Sequence, residues 1–570
     1  MIFEDRKRIY SEDYADILIA YNGNFSVFEE FEDATINIIN FLYAVVHVPI
    51  EQFTNLFIME RGYYSIPRLY GLISEQSLEA SGVTSMRGIP ALNLRGQGTL
   101  IGIIDTGIDY ANPIFQYADG TTRIVAIWDQ TIISDDMPLN FSYGTEYTRE
   151  QINEALRSDD PLSIVPSMDT DGHGTLVAGI AAGNEVPEMD FAGVAPDAEF
   201  VVVKLKPAKQ YLRDFYLIKE DAVAFQTTDI LFAIQYLLYK SDLLLSPMSI
   251  CVSIGSNFSG HDEWGIPVNF FSLAATRNGI VVSCAAGNEG AGRRHYEGRN
   301  NPDKEYDTVE LNVGEEESRS GFSMEIWGNT PSIYSIDILT PTGEYVPRIY
   351  TGRSISRVIT FIFDETTIYI EYIMVEQTSG DQLILLRFDR PTEGIWRFNV
   401  YETGNLYMGF NIWLQKGGFI SEGTYFLASN PYTTILSIGN GIIPITVTAY
   451  NTEDESLYLN ASRGNTRTGV LKPDIAAPGV DVLGPTLQHD FAGFTGTSVA
   501  AAHTAGIAAL ILEWGIVRNN LPGISTTEVK KLLIRGARRD NNIVYPNRDW
   551  GYGILDIFNV FDSLRTQFIV

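Results

Sequence analysis

Between residues 303 and 428 the apolar positions gather into short β-branched and aromatic runs, IYSIDIL, RVITFIF, TIYIEYIMV, QLILLRF, GIWRFNVY and MGFNIWL. Turn chemistry separates them, in TPTGEY, QTSGD and RPTEG. Closely spaced strands without intervening helices predict a β-sandwich, with its aromatic residues as core. The first 76 residues have another texture, with strand-like runs DILIAY and FLYAVVHVPI and a short helical pattern near EQFTNLFIME. That is enough for a small α+β module. Around His173, Gly172, Gly174, Ala178, Gly179, Ala181, Ala182 and Gly183 leave little side-chain bulk, which suits a helix running through a crowded interior. The stretch 499–514 is apolar and alanine-rich and predicts a second such helix. YGTEYTREQINEAL predicts a surface helix with Thr148 as its cap and acidic residues in its first turn.

Composition narrows the classes. With 570 residues, 45% of them hydrophobic, the chain can bury more than one core. A net charge of −31 argues against nucleic acid as a partner and reads as a solvated acidic surface. The start, MIFEDRKRIYSEDYADILIAY, lacks the basic end, apolar run and small-residue cleavage site of a secretory signal. The expectation is therefore synthesis in the cytoplasm. No run of eighteen apolar residues predicts a membrane span. The only cysteines, Cys251 and Cys284, lie in apolar segments and read as buried thiols, since two cannot build a disulfide framework or a zinc quartet.

Three short segments supply the groups of an acyl-transfer site: IGIIDTGID around Asp105, DGHGTLVAG around His173 and FTGTSVAAAHTAG around Ser498. A serine hydroxyl needs an imidazole to take its proton and a carboxylate to fix the imidazole tautomer. Asp-Thr-Gly alone also describes an aspartic protease, but that chemistry pairs two carboxylates and the chain has no second such tripeptide. A serine at a helix start meets free amide hydrogens and positive dipole character, which favour a developing oxyanion. Asp169 and Asp171, beside His173, read as a turn leading into the helix rather than as metal ligands. No cofactor enters this chemistry.

These segments, in the order Asp, His, Ser, resemble the signatures of subtilisin-like serine proteases, and a fourth, VVSCAAGNEG, resembles that family's oxyanion loop. The resemblance implies an α/β core with a parallel sheet flanked by helices, an N-terminal α+β prodomain and an inserted β-sandwich. It assigns Asp105, His173 and Ser498 as catalytic residues and Asn288 as the side-chain oxyanion donor beside the Ser498 N–H. Loss of such a donor costs roughly 100- to 1000-fold in turnover. The segment SIGSN resembles the strand lining the substrate cleft, so Ser253, Ile254 and Gly255, with Ala286 and Gly287, are implied substrate-binding residues. In such proteases a prodomain assists the folding of a slow, high-contact-order parallel sheet and then inhibits the cleft.

The tail YGLISEQSLEASGV, together with RIVAIWDQT, YGTEYTREQINEAL and DTDGHGTLVAGIAAG, is similar to the clostridial Csp-type spore-germination proteases. By that resemblance the prodomain spans 1–76 and is cut between Gln76 and Ser77, then stays bound non-covalently. The catalytic domain spans 77–302 and 429–570, around a jelly-roll-like insert at 303–428. The implied partners are protein or peptide substrates, among them a zymogen such as a spore cortex-lytic enzyme. The alternative is a latent or silent pseudoprotease that acts by binding. The loop after His173, AAGNEVPEMDFAGVAP, matches the family's calcium loop poorly, and no calcium site is assigned. Two further departures, Leu176 and Ala502, remove no essential chemistry. Val499 stands after the nucleophile where many subtilisins carry methionine, and valine cannot form a sulfoxide. Peptide hydrolysis after brief peroxide exposure is therefore expected to stay near its untreated rate, and rapid inactivation would refute this.

Overall fold

A computed structural model of the chain describes residues 3–54, 57–76, 94–299, 303–350, 352, 354–404 and 406–565. Its centre is an eight-stranded sheet of β1 Leu100–Asp105, β2 Ile124–Asp129, β3 Thr145–Thr148, β4 Glu199–Lys204, β5 Met248–Val252, β6 Ile280–Ala285, β7 Ile445–Tyr450 and β8 Ile475–Pro478. The strand order is β8-β7-β6-β5-β1-β4-β2-β3. All neighbours are parallel except the edge strand β3, antiparallel to β2. The segments LIGIID, MSICV, IVVSCA and ITVTAY are buried at every residue, as expected where helices cover both faces.

Ile101, Ile103, Val202, Val281 and Val447 point into one hydrophobic layer, shared with helices α1 His173–Ala182 and α2 Thr497–Leu512. Leu100, Ile104, Val201, Ile250 and Val282 point the other way, against Thr227–Leu244 and Ile266–Ala275. Such two-faced alternation follows from the strand period of two. Thr497–Val517 is long and apolar enough to cross a bilayer, but 83% of its most apolar window is buried inside the protein. Among the described residues it is the one helix of that kind. Cys251 and Cys284 are buried free thiols in β5 and β6. The surface helix Arg149–Arg157 begins with a capping box, Thr148 and Gln151 bonding each other's backbone N–H.

The β-rich stretch forms two antiparallel sheets of six and five strands. Alternate residues, Phe322, Met324 and Ile326 from one and Trp396, Phe398 and Val400 from the other, build a common core. The insert opens ahead of residue 303: His295–Gly298 already pairs with Phe410–Leu414. HYEG carries no apolar run, so only the pairing reveals it as a strand. The outer face of the six-stranded sheet is covered too, with Trp327, Leu383 and Trp413 joining the layer that holds Thr227–Leu244.

The N-terminal module is a three-stranded antiparallel sheet in which Tyr43–Pro49 is central, flanked by Tyr14–Ala20 and Thr35–Ile38. The four-residue strand TINI was too short to mark itself in the sequence. The module packs Ile17, Ala44 and Val46 against Leu212 and Phe215 of the helix Gln210–Tyr216, and against Leu385 and Phe419 of the insert. A polar knot lies in this contact. Asp16 Oδ1 meets Lys209 Nζ at 2.7 Å and His47 Nδ1 at 2.7 Å, and its Oδ2 accepts from Gln226 Nε2 at 2.7 Å.

Burial alone would raise the Asp16 carboxyl, but Lys209 and then His47 outweigh it and hold it well below the usual carboxylate range. Burial lowers His47 against the pull of Asp16. Lys209→Met removes one partner and strands a buried carboxylate. It is expected to cost about 3–5 kcal/mol, read as a lower melting temperature. Since the folded carboxyl is depressed, the wild-type contribution is complete above the ordinary carboxylate range and is lost only as pH falls below it.

Candidate active site

Asp105, Val252 and Ala285 end β1, β5 and β6, so these strands open at one edge of the sheet, where crevices of parallel α/β sheets lie. Asp105 is fully buried there. Its Oδ1 accepts from His173 Nδ1 at 2.8 Å and from the Thr106 N–H at 2.7 Å. Its Oδ2 accepts from Ser253 Oγ at 2.6 Å and lies 2.9 Å from His173 Nδ1. The carboxylate thus fixes the tautomer that leaves Nε2 free of hydrogen. Burial would raise Asp105, but His173, Ser253 and Thr106 together lower it. Burial would likewise lower His173, and Asp105, aided by Asp171 and Asp169, raises it above its ordinary value.

His173 is the first residue of α1, and close backbone approach makes the placement possible. A Cβ on Gly174 would lie 2.1 Å from the Gly107 carbonyl oxygen, so only glycine fits. Asp169 caps this helix: its Oδ1 accepts from the N–H groups of Asp171 and Gly172, and its Oδ2 from the N–H and hydroxyl of Thr175. Asp171 accepts from the His173 N–H. Both aspartates therefore build the turn.

Ser498 sits in the first turn of α2, buried, and α2 packs directly on α1. Among the described residues, neither Ser498 Oγ nor His173 Nε2 has a hydrogen-bond partner, and both are buried. Across from them, Asn288 is oriented by its carbonyl, Oδ1 accepting from the Thr497 N–H at 3.2 Å and the Thr497 hydroxyl at 3.1 Å. Thr497 Oγ1 also accepts from the Gly287 N–H at 3.0 Å. The Asn288 amide hydrogens are left facing the cleft.

The cleft is occupied by the chain's own segment 69–76. Leu69–Leu72 forms a central strand, antiparallel to Phe225–Gln226 on one side and Ile254–Gly255 on the other. Ser74–Gln76 then pairs antiparallel with Phe491–Gly496, with Ser74 opposite Gly496 and Gln76 opposite Phe494. Asn288 Nδ2 donates to the Ile73 carbonyl oxygen, and Lys416 Nζ, from the insert, donates to that of Leu72 at 3.0 Å. Ser77 lies outside the described residues.

Of the residues the sequence suggested for substrate binding, Ile254 and Gly255 touch the tail through backbone pairing. The Ser253 hydroxyl turns inward to Asp105. Ala286 is a backbone brace, its carbonyl accepting from the Leu436 N–H at 2.9 Å, and Gly287 anchors Thr497. Thr497, Leu436 and Phe225–Gln226 were not legible as site residues. Thr497 stood in the motif, but its tie to Asn288 exists only in three dimensions.

Comparison with known proteins places the chain's fold and family. Residues 96–323 and 427–553 match the subtilase family, leaving out most of the insert. The subtilisin-like protease SBT3 of Solanum lycopersicum is 26% identical over 74% of this chain and 56% of its own length. SBT3.6 of Arabidopsis thaliana is 22% identical over 73% and 56%. The chain thus spans about half the length of these curated relatives. The solved structure of the Clostridium perfringens CspB protease is 30% identical, covers 84% of this chain and 96% of its own, and superposes with a TM-score of 0.75.

Asp105→Asn removes the charge that raises His173 and leaves burial, which lowers it. The imidazole is expected to titrate at lower pH in that variant, measured by NMR of histidine-labelled protein. An unchanged midpoint would contradict the assigned coupling.

Proposed function

The chain belongs to the subtilase family, and on that premise we propose that it is a self-processing serine endopeptidase using Asp105, His173 and Ser498. The observation that carries this reading is the buried bridge from Asp105 to His173 Nδ1, with Nε2 left as a base next to the helix that presents Ser498. Ser498 attacks the substrate carbonyl as His173 Nε2 takes its proton, and Asp105 stabilises the resulting imidazolium. The oxyanion then meets the Asn288 amide and the N–H at the start of α2. His173 returns the proton to the leaving amine, and water completes the hydrolysis by the reverse sequence.

The N-terminal module acts as the prodomain in this scheme, and after cutting it stays bound through the Asp16 knot and the insert. The Csp-type resemblance and the likeness to CspB support a physiological substrate that is a zymogen, such as a cortex-lytic enzyme processed during spore germination. A second reading, a latent protease that acts by binding, has one observation in its favour: the tail covers the cleft of the intact chain.

A fluorophosphonate probe is expected to label the processed wild type and not Ser498→Ala. Hydrolysis of a fluorogenic peptide library should fall by roughly a million-fold in that variant, the size of loss found on removing a subtilisin nucleophile. Equal peptide hydrolysis by both proteins would exclude Ser498 as nucleophile, and no labelling of a fully processed wild type would favour the binding reading.

A further inference from the structure

We propose that the chain cuts itself between Ile73 and Ser74, three residues ahead of the junction its sequence suggests. The inference rests on the self-processing reading above and specifies its bond. Two antiparallel ladders hold the tail, one through Leu69–Leu72 and one through Ser74–Gln76. Ile73 is the single residue between them, and its carbonyl oxygen is the one that Asn288 Nδ2 reaches. Immediately downstream, Ser74 lies opposite Gly496, two residues before Ser498. The carbonyl that faces the oxyanion donor and the amide that faces the nucleophile's strand therefore belong to one peptide bond.

The side chain agrees. Ile73 is 3% exposed and belongs to the apolar layer that includes Leu436. Gly255 makes room for it, since a Cβ there would stand 3.0 Å from Ile73 Cδ1 and 2.5 Å from Leu436 Cδ1. The slot fits a branched aliphatic residue. To bring the Gln76 carbonyl to Asn288, the tail would have to slip by three residues. An odd slip reverses which face each side chain takes and breaks the match of Leu72 with Ile254.

In the cut, Ser498 Oγ bonds to the Ile73 carbonyl carbon and its proton passes to His173 Nε2. The bond from that carbon to the Ser74 nitrogen breaks, and the nitrogen takes the proton from His173. Water then bonds to the acyl carbon, the ester bond to Ser498 breaks, and one water proton returns through His173 to Ser498. The products are an Ile73 carboxylate and a free Ser74 amine.

Intact mass and N-terminal sequencing of the purified full chain test this, beside Ser498→Ala. The expected large fragment begins Ser-Glu-Gln-Ser and is absent from Ser498→Ala. A fragment beginning at Ser77 overturns the register while leaving self-processing in place, and no cut at all overturns both. Two proline variants separate a first cut from later trimming, because proline after the scissile bond makes it a tertiary amide. Ser74→Pro is expected to slow the first cut at least about tenfold and Ser77→Pro to leave it within about twofold. Ser77→Pro alone blocking the cut, with melting unchanged, would refute the proposal.

Discussion

A charged carboxylate with no access to water sets the terms for the rest of this molecule. Asp105 is tolerable in the interior because every lone pair direction is answered: by the imidazole of His173, the hydroxyl of Ser253 and the amide of Thr106. Those partners come from two strand ends and a helix start, so the sheet order, the approach of α1 at Gly174 and the burial of Ser253 are requirements of one ion. The same arrangement makes His173 more basic than its burial would allow. Stability and reactivity share a single set of hydrogen bonds.

The N-terminal module and the inserted sandwich both reach this site. The module supplies the strand that fills the cleft. The insert reaches over that strand with Lys416 and supports the module from the side, where the Tyr63 hydroxyl donates to Glu325 and the Tyr63 ring meets Trp327 edge-on at 5.6 Å. The buried Asp16 knot adds a contact that is costly to open partway, because separating it exposes a carboxylate from Lys209 before water can replace it. Covalent linkage is then only one of the ties between the module and the rest of the chain.

Much of this was readable in the chain because catalysis concentrates its requirements in contiguous segments. His173, Asn288 and Ser498 each stand in a run of small residues that has few other uses, Asp105 gains its meaning from their company, and the buried strands announce themselves as unbroken apolar stretches. The β-rich texture of the insert was visible for the same reason. Features that depend on pairing were not. The strands at His295–Gly298 and Thr35–Ile38 exist through their neighbours, the inward turn of Ser253 follows from a carboxylate far away in sequence, and the register of 69–76 is decided by two ladders and one amide. A tail read by resemblance draws attention to Gln76, and only the folded structure shows that the carbonyl meeting Asn288 is that of Ile73.

Nearly all of the grip on that tail is main chain on main chain: two short ladders, the Asn288 amide on one carbonyl and Lys416 on the next. Such bonds are indifferent to which side chains the strand carries, except at the enclosed Ile73, but they count residues. Over evolutionary time the segment is therefore free to drift in composition while being barred from changing length, since a single inserted or deleted residue would turn its pattern over and bring the wrong carbonyl to the amide. Related chains should differ here by substitution and not by gaps.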